Sequence, residues 1–257
     1  MLLTADYHTH TTYSHGKGTV LENAIRAKEL GLKELGITDH GFSHPAFGIN
    51  HRKLPNLIKD VEEAKKITGV NVLTGIESNI LGQEGFLDLK EKDYQYFDLF
   101  LAGAHRFIKF KRVSDYFNFF LRNMATSTLR KKPSSSLIKL TTKAYINAIK
   151  KFPVDVITHL NFLYFSDAEE VAKAAADYGT YIELNAKKIH LTDEELYKVD
   201  KTGVRYLINS DAHTVDRIGD TKLVEGILDR VKIDMTRIDN IEGRLPSFRF
   251  KKYKEKM

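Results

Sequence analysis

Apolar positions along the chain fall into short clusters with two alternating rhythms. Runs rich in Val, Ile, Leu and Phe occupy residues 3–8, 32–38, 71–78, 97–104, 154–160, 180–186 and 205–211, the pattern of buried strands. Amphipathic stretches at helical spacing cover 19–31, 55–68, 167–178, 192–202 and 216–231. The first of these is marked at both ends. Thr19 and Glu22 form a capping box, and Gly31 supplies the stop. About seven strand–helix units in alternation predict a parallel sheet covered by helices, either an α/β barrel or an open wound sheet.

Residues 106–151 break this rhythm, because they separate two strands by far more than a common βα connection. Residues 134–151 have helical spacing, with Ser134, Ser135 or Ser136 available as a cap. The remainder is basic and aromatic, and reads as an elaborated loop with helical pieces over or beside the mouth of the sheet. We expect residues 1–257 to form a single domain carrying this insertion at about 106–151. A basic C-terminal tail at about 244–257 is expected to be solvated and frayed.

Composition narrows the chemistry. With 42% hydrophobic and 29% charged residues, the chain can bury a sizeable core and is not a disordered polyampholyte. No apolar run approaches the ~18–20 residues that cross a bilayer. The opening "MLLTADYHTH" has no apolar signal segment and reads as the first strand of a mature cytoplasmic protein. Cysteine is absent, so thiolate metal sites and disulfides are excluded. Any metal must be held by His, Asp and Glu, which suits Zn, Mn or Fe(II). The net charge of +6 favours an anionic partner, a phosphorylated metabolite or nucleic acid.

The polar residues then fall into register with the strands. His8 and His10 close the first, Asp39 and His40 follow the second, and Glu77 ends the third. His105, His159 and Asn185 end the fourth, fifth and sixth, and Asp211 and His213 end the last. In a parallel barrel these ends converge on one mouth. Protonated imidazoles gathered there would repel one another, and unpaired buried carboxylates cost on the order of several kcal/mol each. Divalent ions remove both costs. A lone His at a strand end is usually a solvated residue; such residues on successive strand ends point to a metal centre.

The segments "DYHTHTTYSHGKG", "GITDHG", "TGIESNI", "LAGAH", "ITHLNF" and "NSDAH" stand in the order found in PHP-domain (polymerase and histidinol phosphatase) metal-dependent phosphoesterases. The chain resembles the short stand-alone branch of that family from His8 to His213. The resemblance implies a distorted (β/α)7 barrel with a trinuclear metal centre at the C-terminal ends of the strands. It implies that His8, His10, Glu77 and Asp211 hold one ion. Glu77 bridges to a second, with His105 and His159, and His15, His40 and His213 hold a third. Glu77, His105, His159 and Asp211 would carry the reaction.

Asp6 and Asp39 are candidates to accept a hydrogen bond from a ligand imidazole. Lys17, His44, Arg106 and Arg217 are candidates to grip substrate phosphate, with Arg52 and Lys53 behind them. His190 reads as structural. The expected activity is hydrolysis of a phosphate monoester, histidinol-phosphatase-like or on another small phosphorylated metabolite, by metal-activated hydroxide. The alternative is a phosphodiesterase or 3'-5' exonuclease, with the basic, aromatic insertion holding single-stranded nucleic acid. A membrane partner is not expected, and the oligomeric state is left open.

Overall fold

The computed structural model describes residues 1–106, 108–110, 112–129 and 131–257, so Phe107, Lys111 and Arg130 of the basic insertion lie outside the described residues. Seven parallel strands run in sequence order: β1 (Ala5–Thr9), β2 (Glu34–Ile37), β3 (Asn71–Asn79), β4 (Leu99–Gly103), β5 (Val156–Ile157), β6 (Tyr181–Asn185) and β7 (Tyr206–Asn209). The sheet curls into a nearly closed barrel. At its upper end β1 meets the chain beyond β7, where the His10 N–H donates to Ala212 at 2.8 Å. At its lower end the strands part, and the Asn240 side chain fills the gap. Asn240 accepts from the Ile208 N–H and donates to the Ala5 and Ile208 carbonyls, standing in for a missing strand residue.

Helices α1 (Val20–Glu29) and α2 (Leu54–Thr68) follow β1 and β2. The expected capping box of Thr19 and Glu22 forms. The insertion folds as α3 (Val113–Asp115), a π-helical turn (Tyr116–Leu121), α4 (Arg122–Thr128) and α5 (Ser135–Lys151), the last capped by Ser134. Helices α6 (Ala168–Tyr178), α7 (Asp193–Lys201) and α8 (Lys222–Val231) complete the outer layer. The helix expected over 216–231 is interrupted. Gly219 takes φ 71°, and its N–H is drawn onto the buried Asp6 carboxylate at 2.9 Å, so α8 starts only at Lys222.

Two differences from the sequence reading matter for the site. The fifth strand pairs only over Val156–Ile157, because His159 leaves the extended region at φ 29°. The C-terminal tail is docked, not frayed. It forms α9 (Arg249–Lys254), with Phe250 fully buried. Phe248 packs edge-on against Tyr7 at 4.9 Å, and the Phe250 N–H donates to Asp155 at 2.8 Å. The tail therefore stoppers the lower end of the barrel, whose interior is filled above it by Ala5, Tyr7, Leu99, Leu101, Val156, Tyr181 and Leu207. Three aromatic rings in "FRFKKY" explain why a sequence so basic is also held. No described helix is long and apolar enough to cross a membrane.

Candidate metal centre

Inward-facing residues alternate along regular strands, and on β3 and β6 the parity set by the barrel core carries straight into the site. Leu73, Gly75 and Glu77 follow one another inward on β3, and Tyr181, Glu183 and Asn185 do so on β6. On β1 this parity would point His8 outward, since Ala5 and Tyr7 lie in the barrel interior. A register irregularity between Asp6 and Thr9 flips the face and delivers His8 inward.

Glu77 is fully buried at the centre. Its Oε1 lies 2.8 Å from His159 Nε2 and 3.3 Å from His8 Nε2, and its Oε2 lies 3.0 Å from both His40 Nδ1 and His105 Nε2. Burial alone would raise its pKa, yet His105, His8 and His159 hold it well below the usual carboxylate range. Asp211 behaves alike, with burial outweighed by His8 and His10. Burial and neighbouring imidazoles depress His10, His40 and His15, the last to about 3. For His8 and His159 burial pulls the same way, but the surrounding carboxylates prevail and raise them.

The fit to metal ions rests on atoms left without partners. His105 Nδ1 donates to Asn79 Oδ1 at 2.8 Å, which turns Nε2 onto the Glu77 carboxylate. His8 Nδ1 donates to Glu183 at 2.7 Å, which turns its Nε2 into the cluster, 3.2 Å from His10 Nε2. Glu77 Oε2, His40 Nδ1, His105 Nε2, His10 Nδ1 and His159 Nδ1 are buried with no hydrogen-bond partner. Buried polar atoms this crowded are costly unless protons or cations lie among them. Two ligand atoms each about 2.1 Å from one ion would stand roughly 3.0–3.4 Å apart. Among the described residues, four overlapping triads have ligand atoms all within 4.8 Å of one another: His8, His10 and Asp211; His8, Glu77 and His159; His40, Glu77 and His105; His10, His40 and His213. His15 joins none of these, but stacks on His40 at 4.7 Å and meets His213 edge-on at 4.2 Å.

A model of the PHP domain matches residues 6–187. The chain belongs to the PHP domain family. A relative in Caldanaerobacter subterraneus subsp. tengcongensis, named as a probable phosphatase, is 34% identical over 227 residues, 84% of this chain and 79% of its own. One in Photobacterium profundum, named likewise, is 31% identical over 255 residues, 93% and 89% of the two chains. The fold is similar to that of histidinol phosphate phosphatase from Lactococcus lactis, solved with zinc, L-histidinol and phosphate. That structure covers 96% of this chain and all of its own at a TM-score of 0.61 and 14% identity.

Within this PHP domain, other buried groups hold the cluster in place. Glu183 takes His8 and, through its second oxygen, the His159 N–H at 2.8 Å. Asp88 binds the Asn79 amide at 2.6 Å, which fixes Asn79 Oδ1 toward His105. Thr158 donates to Glu77 Oε1 at 2.8 Å. Two residues at the cluster keep left-handed backbones, His159 at φ 29° and Asp211 at φ 49°. Sequence reading passed over Glu183, Asp88 and Thr158. The available signal was Glu183 itself, a carboxylate within the apolar run "YIELN" and in phase with Asn185.

Asp6 and Asp39 do not meet the imidazoles expected of them. Asp6 accepts from the N–H groups of Ser210 and Gly219, tying β7 to the loop beyond. Asp39 accepts from Thr11 N–H at 2.8 Å, Thr11 Oγ1 at 2.6 Å and the Ser14 hydroxyl, bracing the loop between His10 and His15. Both are fully buried and already hydrogen-bonded, Asp6 by backbone N–H groups and Asp39 by one N–H and two hydroxyls.

A cavity of about 350 Å³ opens over the cluster, with Phe162, Lys187, Lys188 and His190 on its wall. His190 therefore faces the site, 4.9 Å from the Phe162 ring. His44 stacks on His40 at 5.6 Å but turns Nδ1 to the Phe47 N–H. Lys17 and Arg106 are exposed outside the cavity lining. Arg217 is paired with Asp220 at 2.7 Å, and Lys53 with the Tyr13 carbonyl. Larger clefts of about 770 and 890 Å³ lie at the opposite end beside α9 and contain none of the imidazoles.

Proposed function

We propose that this PHP domain hydrolyses the phosphate monoester of a small metabolite with the help of three divalent ions, Zn, Mn or Fe. The observation that carries the reading is Glu77, whose two buried oxygens face separate sets of imidazoles directly beneath the cavity. The names of the relatives and the shared fold of a histidinol phosphate phosphatase support phosphoester hydrolysis. His8, His10, Glu77 and Asp211 would hold one ion; Glu77, His105 and His159 the second; His15, His40 and His213 the third. When bound, such ions supply Lewis-acid charge to a phosphate and acidify water toward neutrality.

The chain's own part is positional. Glu183 and Asn79 each take the Nδ1–H of an imidazole, so His8 and His105 offer Nε2. Thr158 fixes the rotation of the Glu77 carboxylate. The ring of Phe162 adds an apolar surface to the cavity wall. The small cavity favours a monoester over a polynucleotide. In the insertion, Phe119 and Phe120 are buried and Phe110 packs on Phe120 at 5.1 Å, which leaves Tyr116 and Phe117 as its exposed rings among the described residues.

The test is turnover by protein stripped with chelator and reloaded with Mn or Zn. The panel comprises histidinol phosphate, sugar and nucleotide monophosphates, bis-p-nitrophenyl phosphate and single-stranded DNA, with Glu77→Ala and His159→Ala as controls. Metal-restored cleavage of a small monoester, absent from both variants, is expected. Chelator-resistant turnover, or preference for DNA, would overturn the reading.

A further inference from the structure

The cavity over the cluster has two unlike halves. Its floor carries the imidazoles together with Glu77 and Asp211, and both carboxylates are turned onto those imidazoles. Its wall carries two lysines, Lys187 and Lys188, beside Phe162 and His190, with Lys187 Nζ 3.2 Å from His213 Nδ1. No carboxylate other than Glu77 and Asp211 lines the cavity among the described residues. Lys187 Nζ lies 3.4 Å from Asp211 Oδ2, at the boundary between the halves, and remains half-exposed. Lys188 follows on the same loop and is exposed. The loop itself is pinned, because Asn185 Oδ1 accepts from the N–H groups of both lysines at 2.9 and 3.1 Å.

A phosphate seated over the floor would direct the rest of its ester toward this wall. That remainder meets positive charge and no free negative charge. We infer that the substrate carries a second anionic group on its leaving alcohol, a carboxylate or a second phosphate, held by Lys187 and Lys188. The inference rests on the monoesterase reading and narrows its substrate class. It also sets this chain apart from an enzyme for an amino-alcohol phosphate, whose ammonium the same lysines would repel.

The experiment uses the metal-loaded full chain and three small monoesters of similar size: phosphoglycolate, glycerol phosphate and phosphoethanolamine. Their leaving groups are anionic, neutral and cationic. Two rim ion pairs predict a preference of about tenfold in kcat/KM from the cationic to the anionic ester. The preference should shrink at high salt. A Lys187→Met/Lys188→Met double variant should compress the series, and Lys→Arg at both positions should keep it. If the double variant does not fold, the wild-type series and its salt dependence decide. A flat or reversed series in the wild type overturns the second-anion site while leaving monoester hydrolysis standing. Inertness of all three esters with cleavage of bis-p-nitrophenyl phosphate under the same loading overturns the monoesterase reading and this inference with it.

Discussion

Glu183 shows how a residue outside the ligand set governs the cluster. It takes the Nδ1–H of His8 and the backbone N–H of His159 at once, so it sets a tautomer and braces a left-handed backbone. Glu183→Gln should lower zinc affinity about 10–100-fold with the fold intact, read by competition against a chelator alongside circular dichroism. Unchanged affinity would remove the positioning role. Gly103 is needed for a different reason. A Cβ there would stand 2.2 Å from Thr158 Oγ1 and 2.8 Å from His159 Cε1. Gly103→Ala should therefore displace the hydroxyl that fixes Glu77, costing about 1–3 kcal/mol of stability and reducing metal occupancy. Chemical denaturation and bound-metal analysis check both effects. The position of Glu77, His105 and His159 at strand ends was legible in sequence, but the inward turn of His159 was not, because it depends on its departure from the extended region at φ 29°. Glu183 was not isolated, because one acid in an apolar run gives no partner until β1 and β6 are brought together.

At the scale of elements, the C-terminal segment and β5 meet at Asp155. Its carboxylate is fully buried and accepts from the Phe100 and Phe250 N–H groups. Burial raises its pKa to about 7, against the lowering effect of those hydrogen bonds. A raised folded-state value means the folded protein binds this proton more tightly than the unfolded chain does. The contribution of Asp155 to stability is thus fully present below about 4 and is lost as the pH rises through about 7. Asp155→Asn should abolish that component, so the wild-type-minus-variant difference in unfolding free energy should fall between pH 4 and 8. A pH-independent difference would contradict it. Phe250→Ala should cost about 3–5 kcal/mol, because the fully buried ring fills the space between Tyr94, at 4.9 Å, and Phe100, at 5.4 Å. The tail was misread from its lysines. Charge is visible in sequence, whereas the end of the barrel that needs a stopper exists only once seven strands have closed.

For the whole molecule, the barrel gathers groups that are costly together without cations, and this couples metal to stability. Zinc or manganese should raise the melting temperature of stripped protein, and chelator should lower it, read by calorimetry. Metal affinity should also fall as the pH drops below neutrality. His8 and His159 have raised pKa values despite burial, because Glu77 and neighbouring carboxylates favour their protons, and those protons must leave before ligation. His10, His15, His40 and His213 are already depressed, mainly by burial, and add little to that slope. Affinity independent of pH between 6 and 8 would refute the coupling. By itself the sequence determined the alternating architecture and the placement of chemistry-bearing residues at strand ends, since both are local: each follows from periodicity and from where an apolar run stops. Tertiary structure alone decided which carboxylate serves which imidazole, how β1 turns His8 inward, and that the basic tail seals the barrel. Those outcomes depend on contacts between strands far apart in the chain, which no local pattern encodes.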